Sequence, residues 1–245
     1  MTLRLEDFEP GLVGPMPEGV APEVLDQLAS LGTSLVASEL GPTLTRHLAI
    51  DADTLVRRSG SGAVAGVAVT VASPPGSTAS LLPAIGATRP GDALIVVSDR
   101  QTATWGELTG QLAHTHGVRC VVIDGVARDV ARLREIGISV WSRRVYVGER
   151  ANSSIEGQVN VPVSLAGVQV RAGDVVVADD DGIVCIPREL LDDVLARAVA
   201  RREREQVILE SARAGTVSPS WKAWGAGQTG PGPANGADAT AETTG

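Results

Sequence analysis

Between residues 63 and 142, apolar runs rich in Val, Ile and Ala recur with helix-period segments between them. "GAVAGVAVTVAS" and "RPGDALIVVS" read as strands, residues 118–123 as a third and "ISVWS" as a fourth. "STASLLPAIGAT", "TATWGELTGQLAHTHG" and the stretch from Asp129 to Ile136 read as the intervening helices. This βαβαβ order predicts parallel strands joined by crossover helices, an α/β arrangement. Hydrophobic residues are 43% of the chain and aromatics only 2%, so the core has to be built from Val, Leu, Ile and Ala.

The flanks have a different character. "PEVLDQLASLG" and "TSLVASELG" carry apolar residues at helical spacing, each ending at Gly, and predict two short helices. After about residue 145, "VNVPVSLAGVQVRAGDVVVADDDGIVCIP" predicts a β-rich lobe of short strands separated by turns. A long helix follows, with Leu190, Leu191, Val194, Leu195, Ala198 and Val199 on its apolar face and Gly215 at its end. Residues 1–20 are expected to be a loose arm and 21–215 the folded domain. Residues 216–245, reduced to Gly, Ala, Thr and Pro with Trp221 and Trp224, are expected to be a disordered tail.

A formal charge of −8 and the lack of a basic cluster argue against nucleic acid or an anionic membrane as partner. The N-terminal "MTLRLEDFEPGLVGPMPEG" has no apolar leader segment, which predicts a cytoplasmic protein. Cys120 and Cys185 lie within apolar runs and read as reduced packing residues. His114 and His116 are two apart and cannot share a helix face. Asp179, Asp180 and Asp181 before Gly182 lack the alternation of a calcium loop and read as a tight turn.

Two places carry chemistry. In "CVVIDGVARDVARLREIG", Arg128 and Asp129 stand at a strand–loop–helix junction. Asp129 is either the cap of the following helix or a hard-oxygen ligand for a divalent ion. Arg128 is either a solvated loop residue or a fork for a carboxylate. Glu107 has the same ambiguity, because Thr104-x-x-Glu107 has the form of a capping box. If strand 93–98 neighbours strand 118–123, Glu107 and Asp129 border one pocket beyond the strand ends, where open α/β sheets bind ligands. Paired carboxylates beside an Arg suit metal-assisted chemistry on a small oxo acid.

With these residues in place, the chain resembles the RraA-like family over roughly residues 23–215. The resemblance rests on "RPGDALIVV", "WGEL", "GVRCVVIDGVARDVARLREIGISVW", "GQVNVPVSLAGVQVRAGDVVVADDDGIVCIPRE" and "REREQVI". Its most specific element is an acidic residue, twenty intervening residues and Arg-Asp, here Glu107, Arg128 and Asp129. The family contains 4-hydroxy-4-methyl-2-oxoglutarate aldolase/oxaloacetate decarboxylases and non-enzymatic regulators of ribonuclease activity, and the regulators lack the Asp. The resemblance implies a swivelling α/β/β domain, with βαβ units, a β-rich lobe and a long C-terminal helix, assembled as trimers or hexamers. It also implies a site at the subunit interface.

The activity implied is a metal-dependent carbon–carbon lyase acting on a 2-oxo acid through a pyruvate enolate. Asp129 and Glu107 would hold Mg²⁺ or Mn²⁺ with an acid from a neighbouring subunit's C-terminal helix, Glu205 or else Glu203. Arg128 and the backbone around Gly106, Leu108 and Thr109 would bind the substrate carboxylate. Lys222 is the only lysine, which disfavours imine chemistry. The alternative is a non-catalytic regulator that docks on a ribonuclease or another protein. A methyltransferase, an old label within the family, is disfavoured because no glycine-rich loop follows the first strand of this chain. Two departures from the family pattern stand out: Glu107 where Asp is common, and "SDRQTATWGEL" where a glycine-rich segment is usual.

Overall fold

A computed structural model of the chain describes residues 11–148 and 155–216. Two helices open it, α1 (Pro22–Leu31) and α2 (Thr33–Leu48), then strands β1 (Ala49–Asp51) and β2 (Val56–Ser59). The alternating segment follows as β3 (Val64–Ala72), α3 (Leu81–Ala87), β4 (Asp92–Val97), β5 (Ala103–Trp105), α4 (Glu107–Thr115), β6 (Cys120–Ala127), α5 (Val130–Ile136) and β7 (Ser139–Val145). The β-rich part holds β8 (Gln158–Val159), β9 (Val163–Leu165), β10 (Val168–Val170), β11 (Val175–Ala178) and β12 (Gly182–Ile186), and the helix α6 (Leu191–Arg213) ends the series.

The main sheet runs β1-β12-β11-β3-β4-β6-β7-β2. Its centre, β3-β4-β6-β7, is parallel, and the strands added on either side are antiparallel. The parallel pairing follows from the crossover helices α3, α4 and α5, which return the chain to the same end before each new strand. β3, β4 and β6 are buried along almost their whole length, which explains their continuous apolar runs.

Strand alternation sorts the core into layers. Val69, Val71, Leu94, Val96, Val121 and Ile123 point to the helical face, where they meet Leu81, Ala113 and Leu133. Along the same face, α1, α2 and the start of α6 cover Val67, Val175, Val177 and Val184. The other residues of the same strands, including Ala68, Ile95, Val122 and Val176, meet the β9–β10 hairpin through Val163, Leu165, Val168 and Val170. Helices, sheet and hairpin thus form an α/β/β stack, the fold class that the resemblance implies.

Two local readings need correction. α2 bends at Gly41 (φ 74°), where the predicted short helix ends, and a further helical segment containing Pro42 continues to Leu48. The predicted strand 118–123 is instead Cys120–Ala127, with a register shift on β7 between Ile123 and Val126. The Asp-Gly at its middle does not turn, because the buried Asp124 carboxylate accepts hydrogen bonds from Arg143 and from the Ala166 amide (2.9 Å). A charged residue can continue a buried strand when it is paired in this way. The acidic run does form the β11–β12 turn. Its Asp179 carboxylate also accepts from the Thr33 amide (2.8 Å) and hydroxyl (2.5 Å), capping α2 from a distant part of the chain.

The chain falls into two units, Met1–Val199 and Ala200–Gly245, so α6 belongs to both. The predicted tail from residue 217 onward, with Trp221, Lys222 and Trp224, lies outside the described residues, as do residues 1–10 of the predicted arm. Among the described residues, no helix is long and apolar enough to cross a membrane.

Cys120 and Cys185 are free and buried, and burial pushes both thiols up to about 12. Their reactive thiolate forms are therefore scarce at mildly alkaline pH. A thiol-reactive chromogenic disulfide should label neither cysteine in the folded protein and both after denaturation. Rapid labelling of the native chain would contradict this packing.

Candidate active site

β6 lies at the centre of the parallel strands, and its carboxyl end opens where crossover folds place ligands. Arg128 continues the pairing by one more bond, its amide donating to Trp105 O on β5 at 2.9 Å. At Asp129 the backbone reverses into the left-handed region (φ 57°, ψ 34°). For a residue with a Cβ this costs about 1–3 kcal/mol, and such strain concentrates at functional positions.

The reversal decides where the Asp129 carboxylate goes. Its carbonyl begins α5 by accepting from the Leu133 amide (3.0 Å), yet its side chain makes no cap bond to that helix. Instead Oδ2 accepts from the Glu107 amide at 3.1 Å, in the first turn of α4, and lies 3.6 Å from Arg128 Nε. The simple reading of Asp129 as the side-chain cap of its own helix is thereby excluded. Its carboxylate sits at the positive end of a different helix, between that helix and Arg128.

Gly106 makes this approach possible. A Cβ at that position would meet Asp129 Oδ2 at 2.5 Å and Arg128 Cγ at 3.3 Å. Its φ of −166° is open to any residue, so the glycine is there for space.

The capping box read at Thr104 and Glu107 does not form. Thr104 is buried in β5, with its hydroxyl 2.7 Å from that of Ser98. α4 starts after Gly106, where the Thr109 hydroxyl accepts from the Gly106 amide (3.1 Å). Freed from that role, Glu107 is an exposed first-turn residue. Its charge contributes, after that of Glu135, to holding the Arg132 guanidinium protonated.

Gly106, Glu107, Leu108, Thr109, Arg128 and Asp129 all line one cavity of about 380 Å³. The six positions singled out from the sequence in this unit therefore come together. Glu205 and Glu203 belong to the second unit, where Glu205 accepts from Arg201 Nε at 2.7 Å.

A second cavity, of about 560 Å³, lies at the end of β4 and beside the middle of β6 and is lined by Asp99, Arg100 and Asp124. Sequence reasoning passed over these residues. For Asp124 the signal available was a charged residue inside an apolar run, which reads equally well as a turn. Burial raises the Asp99 carboxyl, but bonds from the Thr102, Gly76 and Gln101 amides outweigh it and leave the group below its ordinary range.

Comparison with known proteins agrees with this architecture. A Halalkalibacterium halodurans protein provisionally named a 4-hydroxy-4-methyl-2-oxoglutarate aldolase is 30% identical over 145 residues, 58% of this chain and 69% of that one. The Thermus thermophilus 4-hydroxy-4-methyl-2-oxoglutarate aldolase is 33% identical over 87 residues, covering 36% of this chain and 52% of its own length. A Streptomyces coelicolor structure, described as an unusual member of the RNase ES inhibitor RraA protein family, superposes with a TM-score of 0.67. It shares 25% identity over 77% of this chain and 96% of that one. The chain thus spans between about half and about two thirds of the curated relatives it matches. The Aldolase/RraA family model matches residues 23–185, and the chain belongs to the RraA-like family.

Proposed function

We propose that the chain is a carbon–carbon lyase that releases pyruvate from a 2-oxo acid with the help of a divalent metal ion. Retro-aldol cleavage of the 4-hydroxy-4-methyl-2-oxoglutarate type and decarboxylation of oxaloacetate are the two reactions of this class to test first. The observation that carries the proposal is the Asp129 carboxylate, turned away from its own helix and set beside Arg128 and Glu107 in one cavity. The aldolase names of the relatives support the same class.

The donor set suits a hard cation. Asp129 and Glu107 offer carboxylate oxygens on one pocket wall, and among the described residues no group of three metal-binding side chains forms. Mg²⁺ and Mn²⁺ favour this kind of site, taking one or two carboxylates and keeping several waters. The Asp129 carboxylate has lone pairs beyond the one engaged by Glu107. When bound, the ion would supply Lewis-acid polarisation of the 2-keto oxygen. A third acid, Glu205 or Glu203 of a neighbouring copy in a trimer or hexamer, completes the proposal.

The remaining chemistry falls to the chain's own groups. Arg128 receives the C1 carboxylate in its planar fork, helped by the first-turn amides of Leu108 and Thr109, which have no helical acceptor. Glu107 holds a water that takes the proton from the 4-hydroxyl. The C3–C4 bond breaks, C4 becomes a carbonyl, and the electron pair moves into the enolate of pyruvate. Arg128 offsets the developing charge, and protonation at C3 completes pyruvate. An imine route would need an amine in the pocket, and among the described residues there is no lysine. A second reading, a ribonuclease-docking regulator, draws on the Streptomyces likeness but gives the Asp129 arrangement no task.

The test is pyruvate release from oxaloacetate and 4-hydroxy-4-methyl-2-oxoglutarate, with and without EDTA. Chelation should abolish turnover, and Mg²⁺ or Mn²⁺ should restore it. Asp129→Asn keeps a residue that tolerates the left-handed turn while removing its charge. It should lower kcat/KM by about 10²–10³-fold with little change in melting temperature. Metal-independent turnover, or full activity in Asp129→Asn, would overturn the proposal.

Gly106→Ala should fold but displace the Asp129 carboxylate, costing about 10²-fold in kcat/KM for a shift near 1 Å. Unchanged kinetics would show that the close approach is dispensable. Mass in solution checks the shared site, because a fully active monomer contradicts it.

A further inference from the structure

The walls of the pocket differ from its floor. α4 turns Gly110 and Ala113 inward, where a Cβ on Gly110 would collide with Leu133 of α5. That narrow face leaves Leu108 and Leu112, one turn apart, out of the core, 70% and 42% exposed. Leu82 of α3 is 57% exposed, and all three leucines line the same cavity as Arg128 and Asp129. Ala103 and Trp105 of β5 extend the apolar lining.

Charge is distributed as unevenly as polarity. Among the described lining residues Arg128 is the one cation, against the carboxylates of Glu107 and Asp129. Arg132, on α5, is outside the lining and bonded to Glu135 at 2.6 Å. If Arg128 holds the C1 carboxylate, a second carboxylate at the far end of a substrate would face leucines, the uncharged side chains of Thr78 and Gln111, and two like charges. Desolvating that group without a cation is unfavourable.

We infer that this pocket is built for 2-oxo monocarboxylates whose leaving portion is apolar: 4-hydroxy-2-oxo acids bearing an alkyl or aryl group at C4. This rests on the lyase reading above and narrows its substrate. Cleavage gives pyruvate and an apolar aldehyde. The hydroxyl proton leaves through the Glu107 water, the C3–C4 pair becomes the enolate, and a proton returns to C3, with no change of oxidation state overall.

The experiment compares 4-hydroxy-2-oxo acids carrying carboxylate, methyl, propyl or phenyl at C4, using the full chain with Mn²⁺ and following pyruvate through lactate dehydrogenase. kcat/KM should rise about fourfold per added methylene from methyl to propyl. The phenyl substrate should exceed the dicarboxylate by at least about tenfold. Leu112→Arg should reverse the order by giving the second carboxylate a partner.

Thermal stabilisation by 2-oxohexanoate against 2-oxoglutarate reads the same preference without turnover. A flat series, or a dicarboxylate preferred in both assays, overturns the inference and leaves the lyase reading intact. Absence of turnover with stronger stabilisation by 2-oxohexanoate overturns the lyase reading and upholds the apolar preference.

Discussion

One hydrogen bond ties the site together: the Glu107 amide donating to Asp129 Oδ2 at 3.1 Å. It joins the starts of α4 and α5, two helices that follow different strands of the sheet. α4 is entered from β5, and α5 from β6. Because β5 and β6 are paired, Trp105 O also accepts from the Arg128 amide, so the two junctions lie side by side. A carboxylate at the head of a helix is favourable by about 0.3–1 kcal/mol where exposed. That gain offsets part of the left-handed turn at Asp129. Gly106 supplies the space, and the pocket is what remains between the two helix starts.

The parallel centre of the sheet was legible because its strands are buried on both faces. Burial of that kind leaves continuous runs of Val, Ile and Ala, which no exposed element can carry. The pairing of β4 with β6 followed from the same logic, and with it the expectation that Glu107 and Asp129 share a pocket. What failed was local grammar. Thr104-x-x-Glu107 satisfies the capping pattern, but Thr104 is the middle residue of a short buried strand. The expected strand 118–123 stops before Asp124-Gly125, but the strand runs on to Ala127 because Arg143 reaches across from the next strand to neutralise the Asp. Each miss has one cause: a partner distant in sequence overrode a short-range preference.

The reach of such partners is clearest at Asp179. Three consecutive acids are sufficient to predict a turn, and β11 and β12 do turn there. Nothing in the run indicates that its first carboxylate caps a helix 146 positions upstream. Asp129 follows the same rule in the functional unit. The residue lies in the N-cap position of α5 by sequence, yet its side chain serves α4. Where a helix start is not met by its own side chain, the sequence shows which residue stands there but not which helix it serves.

The same separation of backbone from side chain explains why a charged pair can survive at a strand mouth. Arg128 is held by its amide to β5, and Asp129 by its carbonyl to α5, so neither side chain is needed to fix the loop. Backbone bonds on both sides hold the strained φ in place. The guanidinium and the carboxylate remain half-exposed and weakly paired at 3.6 Å, without a tight bidentate geometry. A tight pair would have to be broken before Arg128 could accept a substrate's carboxylate, and the desolvation already spent would be lost. A loose pair keeps both charges near the cavity at little cost. The strain at Asp129 is therefore better understood as the means of separating the two charges than as a by-product of the turn.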